Sequence, residues 1–77
     1  MSDKSLRNIL LEKGLTNREI EVSELVSKGL SNKEVGSQLF ITERTVKAHL
    51  INLYAKLNLH SRAQLIVFCL PHLRFTE

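Results

Sequence analysis

A single cysteine, Cys69, leaves this chain without any internal disulfide, which fits a reducing compartment. Cys69 lies in an apolar run, so a buried and inert thiol is expected there. Tryptophan is absent, Pro71 is the only proline, and the aromatics are limited to Phe40, Tyr54, Phe68 and Phe75. The longest apolar stretch, Leu65 to Leu70, is far shorter than the roughly 20 residues that a bilayer-spanning helix needs. The opening MSDKSLRN lacks the apolar centre of a signal peptide. A cytoplasmic, nucleoid-associated protein with no membrane partner is therefore expected. His49, His60 and His72 stand at no metal-ligand spacing with one another or with Cys69. No HExxH, GxSxG or phosphate-cradling glycine loop occurs. No catalytic residue, metal or cofactor is expected, and His49 reads as a structural histidine bonded to neighbouring polar groups.

What remains is a chain of 77 residues rich in helix formers, enough for one small all-α domain. Helix starts are marked repeatedly. Thr16 with Glu19, Ser31 with Glu34 and Ser61 with Gln64 each have the spacing of a capping box, in which two side chains satisfy each other's backbone amides. Thr42 is a further N-cap, accepting from the amide of Arg44 or Thr45. Gly14, Gly29 and Asn58 suit the left-handed residue that closes a helix. Residues 1–14 stand ahead of the main domain, taken as residues 15–77; within them 3–13 can form a short amphipathic helix, and the segment reads equally as a frayed arm, a linker remnant or a helix that packs on a partner. In the second helix Glu21, Glu24 and Lys28 read as solvated, whereas Arg18 or Glu19 can bridge to a neighbouring helix. Pro71 ends the last helix, and HLRFTE is a tail.

The stretch from Ser31 to Leu57 organises the rest. A short helix holds Val35 and Leu39, the pattern breaks at Phe40-Ile41, and a longer helix follows with Val46, Leu50, Leu53 and Leu57 on one side. Short helix, tight turn and longer helix is the layout of a helix-turn-helix. At about 100° per residue, Arg44, Ala48, Ile51 and Ala55 lie opposite the buried stripe, flanked by Lys47 and Asn52. Lys and Arg donate to guanine or phosphate, Asn pairs with adenine, and Ala or Ile meets a thymine methyl. A solvated face with one stray isoleucine is the plainer alternative. Charge favours the first reading: residues 32–62 hold five Lys and Arg against two Glu, and the net +3 of the chain falls entirely within them. The last segment carries six consecutive apolar residues, Leu65 to Leu70, read as a helix from its Ser61 cap, with a strand the alternative that β-branched Ile66 and Val67 allow. A helix apolar on all sides needs cover on all sides, so a second copy of the chain is expected against it.

Leu15-Thr16, Arg18-Glu19, Gly29, Ser31-Asn32-Lys33-Glu34-Val35, Leu39, Ile41-Thr42-Glu43, Thr45-Val46-Lys47, His49, Lys56-Leu57 and Arg62 together resemble the LuxR-type (GerE/NarL-like) DNA-binding domain of bacterial transcription regulators. The resemblance covers about residues 15–70. It implies a four-helix bundle whose third helix, about 43–57, enters the major groove of double-stranded DNA and whose last helix dimerises. It implies base reading by Lys47, Ala48 and Ile51, with Asn52 beside them. It places Lys33, Thr42, Arg44, Thr45 and His49 near the DNA backbone, and Asn32 and Arg62 are assigned there too. Leu65, Ile66 and Cys69 are assigned to the homodimer contact, and RNA polymerase is a further partner. Ser23 stands where the family usually has Leu, and Gly36 where it usually has Ala, which weakens the helix by roughly 1 kcal/mol. Ile51 stands where some relatives carry a cation. Most of the family carries a sensor or receiver domain ahead of this one, so the chain resembles either a stand-alone regulator or an effector domain of a response regulator. Two rivals stand beside this reading: a sigma region 4-like module, and a protein-interaction module that keeps the fold without binding DNA.

Overall fold

In the computed structural model, which describes residues 5–73, five α-helices and a closing 3-10 turn follow one another with no strand among the described residues. They are α1 (Leu6–Glu12), α2 (Asn17–Ser27), α3 (Asn32–Leu39), α4 (Glu43–Leu57) and α5 (Arg62–Cys69), and the 3-10 turn covers Leu70–His72. The all-α architecture, the helix-turn-helix in α3 and α4, and the additional short N-terminal helix agree with expectation. The tail residues 74–77 lie outside the described residues.

Local chemistry sets nearly every boundary. Thr16 accepts from the Glu19 amide at 3.2 Å while Glu19 accepts from the Thr16 amide at 2.9 Å, and Ser31 and Glu34 repeat the exchange. Ser61 accepts from the Gln64 amide at 3.1 Å, but Gln64 reaches one residue further back than a capping box and accepts from His60 at 2.7 Å. Thr42 caps α4 through the Thr45 amide at 3.1 Å. Gly14, Gly29 and Asn58 take positive φ at helix ends, as their freedom from a β-carbon clash or a short polar side chain allows. Pro71 does not simply stop the chain's helical path. It sits early in the 3-10 turn, where its missing N–H is harmless, and that turn prolongs α5 to His72.

The hub is α2, which packs against each of the other four helices. Its Ile20, Val22 and Val26 meet Val35 of α3, Val46, Leu50, Leu53 and Leu57 of α4, and Leu65 and Cys69 of α5 in one core. Leu6 and Leu10 of α1 extend that core. Ser23, where the resemblance leads one to expect Leu, is fully buried and donates its hydroxyl to the Glu19 carbonyl at 2.9 Å. Ser27 does the same to the Ser23 carbonyl. No buried side-chain polar atom lacks a partner among the described residues, so this polar strip within α2 is satisfied.

The expectation for α5 needs correction. Leu65 and Cys69 are both 0% exposed and belong to the core of their own chain, so neither can touch a second copy. Four residues apart, they share the side of α5 that faces α2. Ile66 and Phe68 are half-buried, and Val67 stands 67% exposed. The uncovered side of the helix is thus a shallow groove lined by Leu59, Ala63, Gln64, Val67 and Phe68. Burial pushes the Cys69 thiol above its ordinary pKa, only partly opposed by a hydrogen bond with Ser27, in keeping with an inert thiol.

Candidate nucleic-acid interface

The geometry of α4 follows from its inner stripe. With Val46, Leu50, Leu53 and Leu57 fixed in the core, Arg44, Lys47, Ala48, Ile51, Asn52 and Ala55 are all exposed on the far side. Ile51 is 69% exposed. Arg44 and Lys47 make no hydrogen bond or ion pair among the described residues, and Lys33 on α3 is equally uncommitted. Thr42 and Thr45 stand exposed at the N-terminus of α4 with their hydroxyl oxygens 3.0 Å apart. Four candidate base readers and four of the candidate backbone contacts, Lys33, Thr42, Arg44 and Thr45, are therefore presented to solvent by α3 and α4.

Three expected residues behave differently. His49 is half-buried and has no hydrogen-bond partner among the described residues, so it is not the bonded structural histidine expected. Arg62 and Asn32 are half-buried and face each other. The Arg62 guanidinium donates to the Asn32 side-chain oxygen and to the Leu30 carbonyl, each at 2.6 Å. Both were expected at the DNA backbone; in this structure they clamp the start of α5 to the start of α3.

The local basic excess is also divided. Lys56 donates to Glu19 at 2.8 Å, across 37 residues, so it ties the end of α4 to the start of α2. Burial raises the Glu19 pKa, but the Lys56 contact and the Thr16 amide outweigh it and hold the carboxyl below its ordinary range. Glu19 is thus the bridging residue of the pair left open by sequence, while Arg18 bonds Glu21 on its own helix at 3.2 Å. Of the five cations between residues 32 and 62, two are structural and three, Lys33, Arg44 and Lys47, are left to meet a ligand. Sequence reasoning missed the Arg62 clamp because its partners are 30 and 32 residues away, beyond any periodicity.

It also missed the conformation of Phe40. This residue closes α3 in the left-handed region, with φ 59° and ψ 41°, and is 93% exposed. Only the break in apolar spacing signalled a turn there. The turn is tight: a β-carbon on Gly36 would lie 2.6 Å from the Ile41 carbonyl oxygen, while the Ile41 amide donates to the Gly36 carbonyl at 3.0 Å.

Comparison with known proteins shows the family. The profile of the family described as bacterial regulatory proteins, luxR family, matches residues 13–69. The nitrate/nitrite response regulator protein homolog of Haemophilus influenzae is 48% identical over a match covering 75% of this chain and 32% of that protein. The transcriptional regulatory protein LiaR of Bacillus subtilis is 44% identical, covering 79% of this chain and 29% of its own length. The response regulator protein VraR of Staphylococcus aureus is 36% identical over 94% of this chain and 34% of its own. The chain thus spans about a third of the length of these curated relatives.

Proposed function

As a member of the luxR family of bacterial regulatory proteins, this chain is a DNA-binding transcription-regulator domain, and we propose that it reads operators by laying α4 in the major groove. One observation carries the proposal. The side of α4 opposite the core is unobstructed and presents Lys47, Ala48, Ile51 and Asn52 beside the uncommitted cations Arg44 and Lys33. Lys47 would donate to a guanine edge, Asn52 to adenine, and Ala48 and Ile51 would meet thymine methyls. Lys33, Arg44, Thr42, Thr45 and His49 would hold phosphates and set register, with Asn32 and Arg62 supporting them from behind. In a cytoplasmic, nucleoid-associated regulator of this family, this domain would be the part that meets DNA.

Two copies would bind paired half-sites, joined through the exposed side of α5, with Val67, Phe68 and Ile66 in the contact. RNA polymerase is the further partner this role implies. No helix among the described residues is long and apolar enough to cross a membrane.

The test is a fluorescence-anisotropy titration on a duplex selected from a random pool. Lys47→Ala should weaken binding to the selected duplex by about 1–3 kcal/mol, with a much smaller loss on random duplex. In the same titration, Val67→Glu should bind one half-site as the parent does but lose cooperative occupancy of two. Equal affinity of parent and Lys47→Ala for the selected duplex would refute the groove reading.

A further inference from the structure

We infer that Phe40 is a DNA contact, its ring packing on the deoxyribose of the strand at the lip of the groove that α4 enters; this rests on the groove reading above. Four residues in the described chain have a left-handed backbone: Gly14, Gly29, Asn58 and Phe40. The first three are the residue types that tolerate it. Phe40 alone is bulky, and it is also 93% exposed. A ring this exposed buries little of its own surface, and glycine or asparagine would close the helix there with less strain.

The backbone around Phe40 fixes where its ring stands. Phe40 precedes the α4 cap, Thr42, by two residues. The intervening Ile41 packs against the core, and its amide is bonded to the Gly36 carbonyl. No space exists beside Gly36 for the turn to settle closer to α3. The ring is therefore held outward at the junction of α3 and α4. In a docked helix-turn-helix the second helix puts its N-terminal residues against base edges while the first crosses the backbone. The turn that joins them consequently stands over the groove's lip, where phosphates alternate with sugars. The cations Lys33 and Arg44 on the two flanking helices suit the phosphates, and an uncharged ring suits the sugar between them.

The experiment measures Phe40→Gly, Phe40→Tyr and Lys47→Ala in the full chain, on a selected and on a random duplex, across a salt series. Phe40→Gly should bind both duplexes about tenfold more weakly, the equivalent of roughly a third of a phenyl side chain's surface returned to water. Its salt slope should equal the parent's, because no phosphate contact is lost. Its melting temperature should be unchanged or higher, since the left-handed backbone is relieved and almost no buried area disappears. Phe40→Tyr, which keeps the ring, should restore affinity to near the parent's. Affinity of Phe40→Gly within twofold of the parent, alongside a weakened Lys47→Ala, would overturn this inference and leave the ring for a protein partner. A marked fall in melting temperature would overturn it too, by giving Phe40 an internal role. If Phe40→Gly and Lys47→Ala both bind as the parent does, the groove reading itself fails.

Discussion

Gly36→Ala sets two physical effects against each other. Helix propensity alone favours the change by about 1 kcal/mol, because alanine loses less backbone freedom in a helix interior. The usual family residue at this position is alanine, so replacement toward consensus also recommends it. The structure argues the opposite. The new β-carbon would sit 2.6 Å from the Ile41 carbonyl oxygen, with the Thr42 carbonyl carbon at 3.5 Å and the Glu43 nitrogen at 3.6 Å. Ordinary carbon–oxygen contacts lie near 3.3 Å or beyond, so the turn must retreat by about 0.7 Å. The obstacle is backbone, not the end of a flexible side chain, and the Ile41–Gly36 hydrogen bond would be stretched as it moves. Overpacking costs about 1–3 kcal/mol and a weakened hydrogen bond about 1 kcal/mol. Less the propensity gain, the net destabilisation is about 1–3 kcal/mol, a fall in melting temperature of at least about 4 °C for a domain this size. Thermal unfolding followed by circular dichroism measures it directly. Because the displaced turn also carries the N-terminus of α4, DNA affinity should fall at temperatures where the variant is fully folded. A melting temperature raised by several degrees with affinity unchanged would show that the turn is slack and that propensity wins.

Glu19→Gln tests the α2–α4 ion pair. Because the folded-state pKa of Glu19 is held below its ordinary value, its contribution is present above the ordinary carboxylate range and is lost as pH falls through the folded value. The stability gap between parent and Glu19→Gln should therefore shrink as pH is lowered from neutral toward about 3; a gap constant over that range would refute the role. The salt dependence of DNA binding tests the division of the cations. Lys47 being given to a base, the two phosphate-facing cations of each chain, Lys33 and Arg44, at about 0.9 per phosphate neutralised, give a logarithmic slope of about −4 for a pair of chains. A slope of about −7 would mean that Lys56 and Arg62 leave their internal partners to meet DNA, contrary to the structure.

Local rules made most of the fold legible. Caps, glycines and the Val46–Leu57 stripe are set by interactions within four residues, and each stands where the spacing puts it. The outward face of α4 was legible for the same reason, since it is the complement of a buried stripe. What escaped was decided at long range or against local preference. The six-residue apolar run predicts that α5 needs cover but not which residues the core takes, and the core took Leu65 and Cys69. Composition counts Arg62 and Lys56 with the DNA-facing charge, yet both are drawn inward by groups on distant helices. Phe40 escaped because a left-handed cap is expected of glycine or asparagine, and no periodicity betrays an exception.

Those long-range ties bear directly on recognition. A side chain reads a base edge only if its helix is held in register with the groups that grip phosphate. Lys33 sits on α3 and Arg44 and Lys47 on α4, so the angle between these helices sets the spacing of the three cations. Gly36 fixes that angle at the turn, Glu19–Lys56 anchors the far end of α4 to α2, and Arg62 fastens the start of α3 to α5. The first acts by close backbone approach and the other two by charge-assisted hydrogen bonds, so they depend differently on pH and salt. Loosening any one should cost affinity before it unfolds the domain, because binding requires the angle while the core requires only burial. On the proposed groove reading, the two cations bound inside the domain would still serve recognition, by keeping the other three in place.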